Sequence, residues 1–177
     1  MDEIIIVEYD RQWVKQFEEE SARIWQTLGN GVVRIEHFGS TAVPGLAAKP
    51  IVDLLVEVNS LEDTKSAILL LEASGYVYWE DDPRLGRMFF VKGMPPFGSQ
   101  RTHHLHIVEA ASELCERLLF RDYLRSHPDE AQRYAALKYK LASQFKTDRE
   151  AYTNAKSAYI GAVMEKARCE INNTPFD

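Results

Sequence analysis

Cysteine is scarce in this chain of 177 residues. Only Cys115 and Cys169 occur, far apart and without disulfide-framework or zinc-ligand spacing. A reducing compartment, the cytoplasm, is the simplest expectation. Long apolar runs are missing too. The N-terminus opens Met1-Asp2-Glu3 and continues with the short run Ile4 to Val7, which does not read as a signal peptide. No stretch is long enough to span a bilayer. Nor is there an excess of positive charge: 21 Lys and Arg stand against 27 Asp and Glu, a formal charge of −6. That balance argues against non-specific nucleic-acid binding, which needs a basic face, and still allows a local cationic pocket. No repeat or low-complexity linker interrupts the sequence. One domain is expected over residues 1–171, followed by a loose tail over 172–177.

What the chain does have is concentrated between Ile35 and Val58. A short apolar strand runs into Gly39-Ser40-Thr41. A loop with Pro44, Gly45 and Lys49-Pro50 follows, and a second strand then starts with Asp53 near its beginning. Such a turn offers backbone N–H groups and hydroxyls beside a carboxylate, which suit a phosphate and its metal ion. A buried Asp opening an apolar strand is costly unless something pairs with it. Each residue alone has a plainer reading, Gly39 as a turn former and Asp53 as a local cap. The joint pattern favours a site.

Periodicity supplies the frame. Trp13, Phe17, Ile24, Trp25 and Leu28 recur at helical spacing, so residues 11–28 are expected to form an amphipathic helix. Strands are expected at 32–38, 51–58, 76–80, 87–92 and 103–108, the last two as a hairpin around the Gly93–Gly98 loop. Ser60 with Asp63 reads as a capping box for a helix that Gly75 ends. Ser112, Ser126 with Asp129 and Pro128, and Thr147 with Glu150 mark three later helices. The fold class is therefore α+β, a mixed sheet followed by a C-terminal helical layer.

Gly39-Ser40-Thr41-Ala42-Val43-Pro44-Gly45-Leu46, followed by Ala48-Lys49-Pro50-Ile51-Val52-Asp53, resembles the signature of the GrpB family. Val7 to Trp13, His104-Leu105-His106, Phe120 to Leu124, and Tyr152 with Lys156 are similar to that family as well. The resemblance covers nearly the whole chain and implies a nucleotidyltransferase-like mixed sheet. It also implies transfer of a nucleoside monophosphate to an acceptor at divalent metal, held by two carboxylates two residues apart on the strand after the Gly-Ser loop. Some members are fused to dephospho-coenzyme A kinase, which indicates context rather than chemistry. Here Asp53 is present, but the second position is Leu55. Glu57 lies roughly 13 Å further along the strand, too far to share a metal cluster, and is expected near solvent.

Other residues can fill the gap. His104 and His106 share one face of their strand, and with Asp53 they could supply three ligands to a metal, magnesium or manganese on the family reading and zinc as the alternative. His103 points the other way, and His37 and His127 read as structural. Lys138 interrupts the apolar stripe of one late helix, and Lys156 interrupts that of the last. Each must snorkel or meet an anion. Arg87 and Arg101, on the expected hairpin, are further candidate cations, although exposed arginines are usually just solvated. The expected site thus has Asp53 as catalytic group and metal ligand together with His104 and His106, and Gly39, Ser40, Thr41, Lys49, Lys138 and Lys156 around a phosphate. The expected partner is a nucleotide or phosphorylated small molecule, with neither nucleic acid nor membrane. Three functions stay open: nucleotidyl transfer, nucleotide binding without catalysis, and metal-dependent phosphoester hydrolysis at Asp53, His104 and His106.

Overall fold

The computed structural model describes residues 3–110, 112 and 114–173. The N-terminal helix α1 (Gln12–Leu28) leads into β1 (Val32–Phe38), which pairs antiparallel with β2 (Val52–Val58) and sets Phe38 opposite Asp53. β2, Val-Asp-Leu-Leu-Val-Glu-Val, is wholly apolar on one face and carries Asp53, Leu55 and Glu57 on the other, and it is buried along nearly its whole length, as befits an interior strand. The short helices α2 (Leu61–Thr64) and α3 (Ile68–Ala73) then lead into β3 (Tyr76–Tyr78) and β4 (Arg87–Lys92). The last strand, β5 (His103–Glu109), is antiparallel to β4, as the expected hairpin requires, and parallel to β2. The five strands lie in the order β1-β2-β5-β4-β3.

Alternation divides the strand residues between two faces. Leu54, Val56, Leu105, Ile107, Met88 and Phe90 meet Trp13 and Ile24 of α1 and Leu71 of α3 in the main core. On the opposite face Phe38, Leu55 and Val108 pack against Leu118 of α4 (Arg117–Ser126). Two more clusters join the helical layer to the rest, one through the loop after β1 and one through the N-terminal segment. Val43 and Leu46 pack with Leu124, Ala131, Tyr134 and Val163, and Ile4 packs with Leu141, Ala142 and Tyr152. These draw in α5 (Pro128–Phe145), α6 (Arg149–Ala155) and α7 (Ser157–Asn173). Arg121 of α4 donates to the His37 carbonyl (2.8 Å) and to Glu36 (2.7 Å), which pins α4 to β1. Among the described residues no helix is long and apolar enough to cross a membrane.

The helix starts differ from expectation in detail. Ser60 does cap α2, accepting the Asp63 N–H at 3.2 Å. The cap of α6 is Asp148, not Thr147, and accepts the Ala151 N–H at 2.9 Å. Ser126 donates to the Asp122 carbonyl within α4, so its expected capping box does not form, although Pro128 does open α5. Ser112 caps only a turn, through the Leu114 N–H, and α4 begins at Arg117. The final expected helix is two helices, α6 and α7, with Lys156 at the joint. Asn172 and Asn173, expected in the tail, continue α7; residues 174–177 lie outside the described residues.

Candidate functional site

Strand register brings the central trio together. β1 ends and β2 begins at the same end of the sheet, so the Gly39-Ser40 turn meets Asp53 as the strand–turn–strand order predicts. The approach is close: a Cβ on Gly39 would stand 2.3 Å from Asp53 Oδ2, and Gly39 has φ +72°, so glycine is required there on both counts. Asp53 lies beside His104 across the parallel β2–β5 pair, and His106 is two residues on along the same face. The His104 Nδ1 to Asp53 Oδ1 distance is 3.1 Å, and that from His106 Nε2 is 3.9 Å. A quarter of the Asp53 side chain stays accessible.

Protonation follows from this packing. Burial opposes the charged carboxylate of Asp53, but the contacts from His104 and His106 outweigh it and hold the carboxyl far below its usual range. Burial drives His104 down and pushes His106 to about 4, with Asp53 opposing only in part. At neutral pH the trio is one carboxylate and two neutral rings.

Arg87, expected in solvent, instead fixes one tautomer. Its side chain is only 6% exposed, pairs with Asp82 at 2.5 Å, and reaches His106 Nδ1 at 2.6 Å. A guanidinium can only donate, so Nδ1 must accept, and the ring proton is assigned to Nε2, facing Asp53. The signal for Arg87 lay in the hairpin register, which sets Arg87 on the face shared with Phe89, His104 and His106. The same correction applies to Glu57. It is buried and paired with Arg34 at 2.8 Å, because the β1–β2 register sets the two opposite each other.

These facts test the expected metal. Asp53, His104 and His106 converge, with ligand atoms within 4.8 Å of one another. Two imidazoles and one carboxylate do not suit magnesium or manganese, which take oxygen donors, and Leu55 is packed in an apolar cluster where a second carboxylate would have to be. Zinc would suit the donor types. But a metal on His106 Nε2 leaves the proton on Nδ1, where an acceptor should stand and Arg87 instead donates. The residues as placed do not fit a metal unless Arg87 withdraws.

The phosphate-side residues divide. Thr41 is buried, within 3.0 Å of His37 Nε2, and donates to the Ile51 carbonyl, so its hydroxyl is engaged away from the turn. Ser40 lies close enough to the Tyr134 side chain of α5 to affect its hydroxyl. Lys138 is fully buried, lies over the Tyr134 ring and donates to the Ala47 carbonyl; it ties α5 to the loop. Lys49 and Lys156 are different. Both lie over the ring of Tyr152, at 5.2 and 4.1 Å, and among the described residues neither has a carboxylate in salt-bridge range. Burial, then the charge of Lys49, pushes Lys156 down to about 7. Burial, then Lys156 and Lys49, does the same to Lys138. Burial lowers Lys49 too, with Arg149 and Arg101 adding to it and Asp53 opposing. Arg117, at the start of α4, senses Asp53 and Arg87 as well. Lys49, Lys156 and Arg117 thus lie within electrostatic reach of one carboxylate, Asp53.

Comparison with known proteins places the chain. The model of the family described as GrpB protein matches residues 3–166. A UPF0157 protein of Pseudomonas aeruginosa is 45% identical over 94% of this chain and 68% of its own length. The UPF0157 protein YqkA of Bacillus subtilis is 40% identical over 92% of this chain, which spans about half (47%) of that relative. A dephospho-CoA kinase of Mycolicibacterium paratuberculosis is 27% identical over 92% of this chain and 45% of the kinase. The crystal structure of the conserved protein GrpB from Enterococcus faecalis superposes with a TM-score of 0.85 at 37% identity, covering 94% of this chain and 99% of that one. This chain belongs to the GrpB family.

Proposed function

We propose that the protein binds a nucleotide or another phosphorylated small molecule between the Gly39-Ser40 turn, the start of β2 and helices α5 and α6, on a nucleotidyltransferase-like scaffold in the cytoplasm. One observation carries this reading. Lys49 and Lys156 are held half-buried over one tyrosine ring near Asp53, with no carboxylate partner among the described residues, although it is costly to take an unpaired ammonium group out of water. A phosphate supplies the missing charge and accepts charge-assisted hydrogen bonds from both. Asp53, held anionic by two ring N–H groups, is placed to accept a hydrogen bond from a hydroxyl or amine of the same ligand. The buried Leu55 removes the second carboxylate of a two-metal transfer site, so the residues support binding of the ligand without that site's metal pair. Dephospho-CoA, from which the distant kinase relative takes its name, is one phosphorylated small molecule of the expected class.

The test is titration calorimetry of the full chain with ATP and with inorganic tripolyphosphate. Lys156→Met keeps most of the side-chain stem and removes the charge. It should weaken both ligands by about 1.5–3 kcal/mol with folding intact. Equal affinity in wild type and variant would show that the Lys156 charge serves no ligand.

A further inference from the structure

The β3–β4 side of the site face carries aromatic rings. Trp79 follows β3 directly, and its N–H donates to the Phe89 carbonyl at 2.8 Å, which extends the ladder by one residue. Phe89 in turn pairs with His106 across β4–β5. The rings form a row on one face. Trp79 lies 6.4 Å from Phe89, Phe89 lies 4.8 Å from His106 and 5.3 Å from His104, and His104 bonds Asp53. Trp79 is three strand spacings across and two residues along from Asp53, about 16 Å.

Three features distinguish this row from ordinary packing. Trp79 keeps 41% of its surface exposed at the open end, whereas the helical layer packs on the β1–β2–β5 part of the same face. The Arg101 guanidinium lies 5.4 Å over the Trp79 ring and that of Arg87 lies 4.6 Å over Phe89, so planar cations stand beside the aromatic surface. Between Trp79 and Asp53, His104 Nε2 is buried with no hydrogen-bond partner among the described residues. With Nδ1–H directed at Asp53, that nitrogen holds a lone pair and accepts one N–H or O–H.

We infer that Trp79 is the stacking platform for a planar heteroaromatic base whose phosphates reach Lys49 and Lys156, so that the ligand of the cleft is a nucleotide. This rests on the phosphate cleft proposed above and adds the second half of the ligand. Every base has a π-face, and the Lys49 and Lys156 ammonium groups complement the phosphates that follow it.

The experiment compares ATP, GTP, adenosine and tripolyphosphate by calorimetry on the wild type, Trp79→Ala, Trp79→Phe and Lys156→Met. Removing a stacking ring should weaken ATP about 5- to 100-fold. Trp79→Ala should thus lose the margin by which ATP exceeds tripolyphosphate and leave tripolyphosphate itself unchanged. Trp79→Phe should recover most of that margin, and Lys156→Met should weaken both phosphate ligands. Unchanged tripolyphosphate binding also shows that Trp79→Ala is folded. If ATP binds no better than tripolyphosphate and Trp79→Ala alters neither, the platform is refuted and the phosphate cleft stands. If adenosine and ATP bind through Trp79 but tripolyphosphate does not bind, the platform stands and the phosphate cleft fails. If none of the four ligands binds, the platform is refuted with the cleft.

Discussion

Two buried charge clusters lie on opposite faces of one sheet, and they are resolved differently. On the face packed against α1, Glu20 is 1% exposed, yet Lys92 and Arg23 stand 2.7 and 2.8 Å from its carboxylate. Burial works against its charge and Lys92 outweighs it, so Glu20 stays ionised. Every charge in that group has a protein partner, as structural ion pairs require. On the other face Asp53 faces two neutral histidines, while Lys49 and Lys156 lie over a tyrosine with no carboxylate. The first cluster completes the fold. The second lacks a negative charge that the described residues do not supply, and an incoming phosphate would supply it.

The largest expected effect belongs to the core face. Leu105→Ala truncates a side chain with no exposed surface and should cost about 2–5 kcal/mol in denaturant unfolding. Tripolyphosphate affinity of the folded protein should not change. A large loss of affinity would show that the two faces are coupled through β5 and would break the comparison.

Acid sharpens it, because each face holds a histidine that burial pushes down to about 4. His37 shares the core face with Leu54 and stacks on Phe17, and His106 sits on the site face. An unfolded imidazole titrates near 6.5, so between about pH 6.5 and 4 the unfolded chain takes up protons that the native state refuses. Stability present above that window should fall as pH falls through it, by at most about 3 kcal/mol per ring. His37→Gln and His106→Gln should each flatten the slope in urea midpoints measured from pH 7 to 4. A slope unchanged in both variants would contradict the assignment.

Metal should have the smallest effect. Because Arg87 donates to His106 Nδ1, zinc should raise the wild-type melting temperature little, and magnesium less. Arg87→Met frees Nδ1 and should gain zinc stabilisation that Asp53→Ala then removes. Strong zinc stabilisation of the wild type, lost in His106→Ala, would show that the trio is a metal centre after all.

Much of this was legible in the sequence because alternation and turn chemistry are local signals. The Gly39-Ser40 turn meeting Asp53, and the shared face of His104 and His106, follow from strand periodicity. What could not be read depends on register and on side-chain reach. Glu57 beside Arg34, Arg87 on His106, and Trp79 beside Phe89 are cross-strand neighbours that no single segment reveals. The roles of Lys138 and Lys156 diverged for a similar reason. Both interrupt apolar stripes, but only the packing of α5 on the loop gives Lys138 the Ala47 carbonyl. Caps shifted by a residue or more because Asp148 and Thr147 are both good caps, and the path of the chain into α6 selects one.

The central claim, that the cleft holds ammonium groups awaiting a phosphate, is tested most directly by NMR titration of Lys156 in protein carrying ¹³C-labelled lysine, with Lys156→Met identifying the resonance. The ammonium should titrate near 7 in the free protein, lowered by burial and by Lys49. Saturating tripolyphosphate should raise it by one unit or more, because an anion favours the charged form. An ordinary lysine value in the free protein, unmoved by tripolyphosphate, would contradict the account.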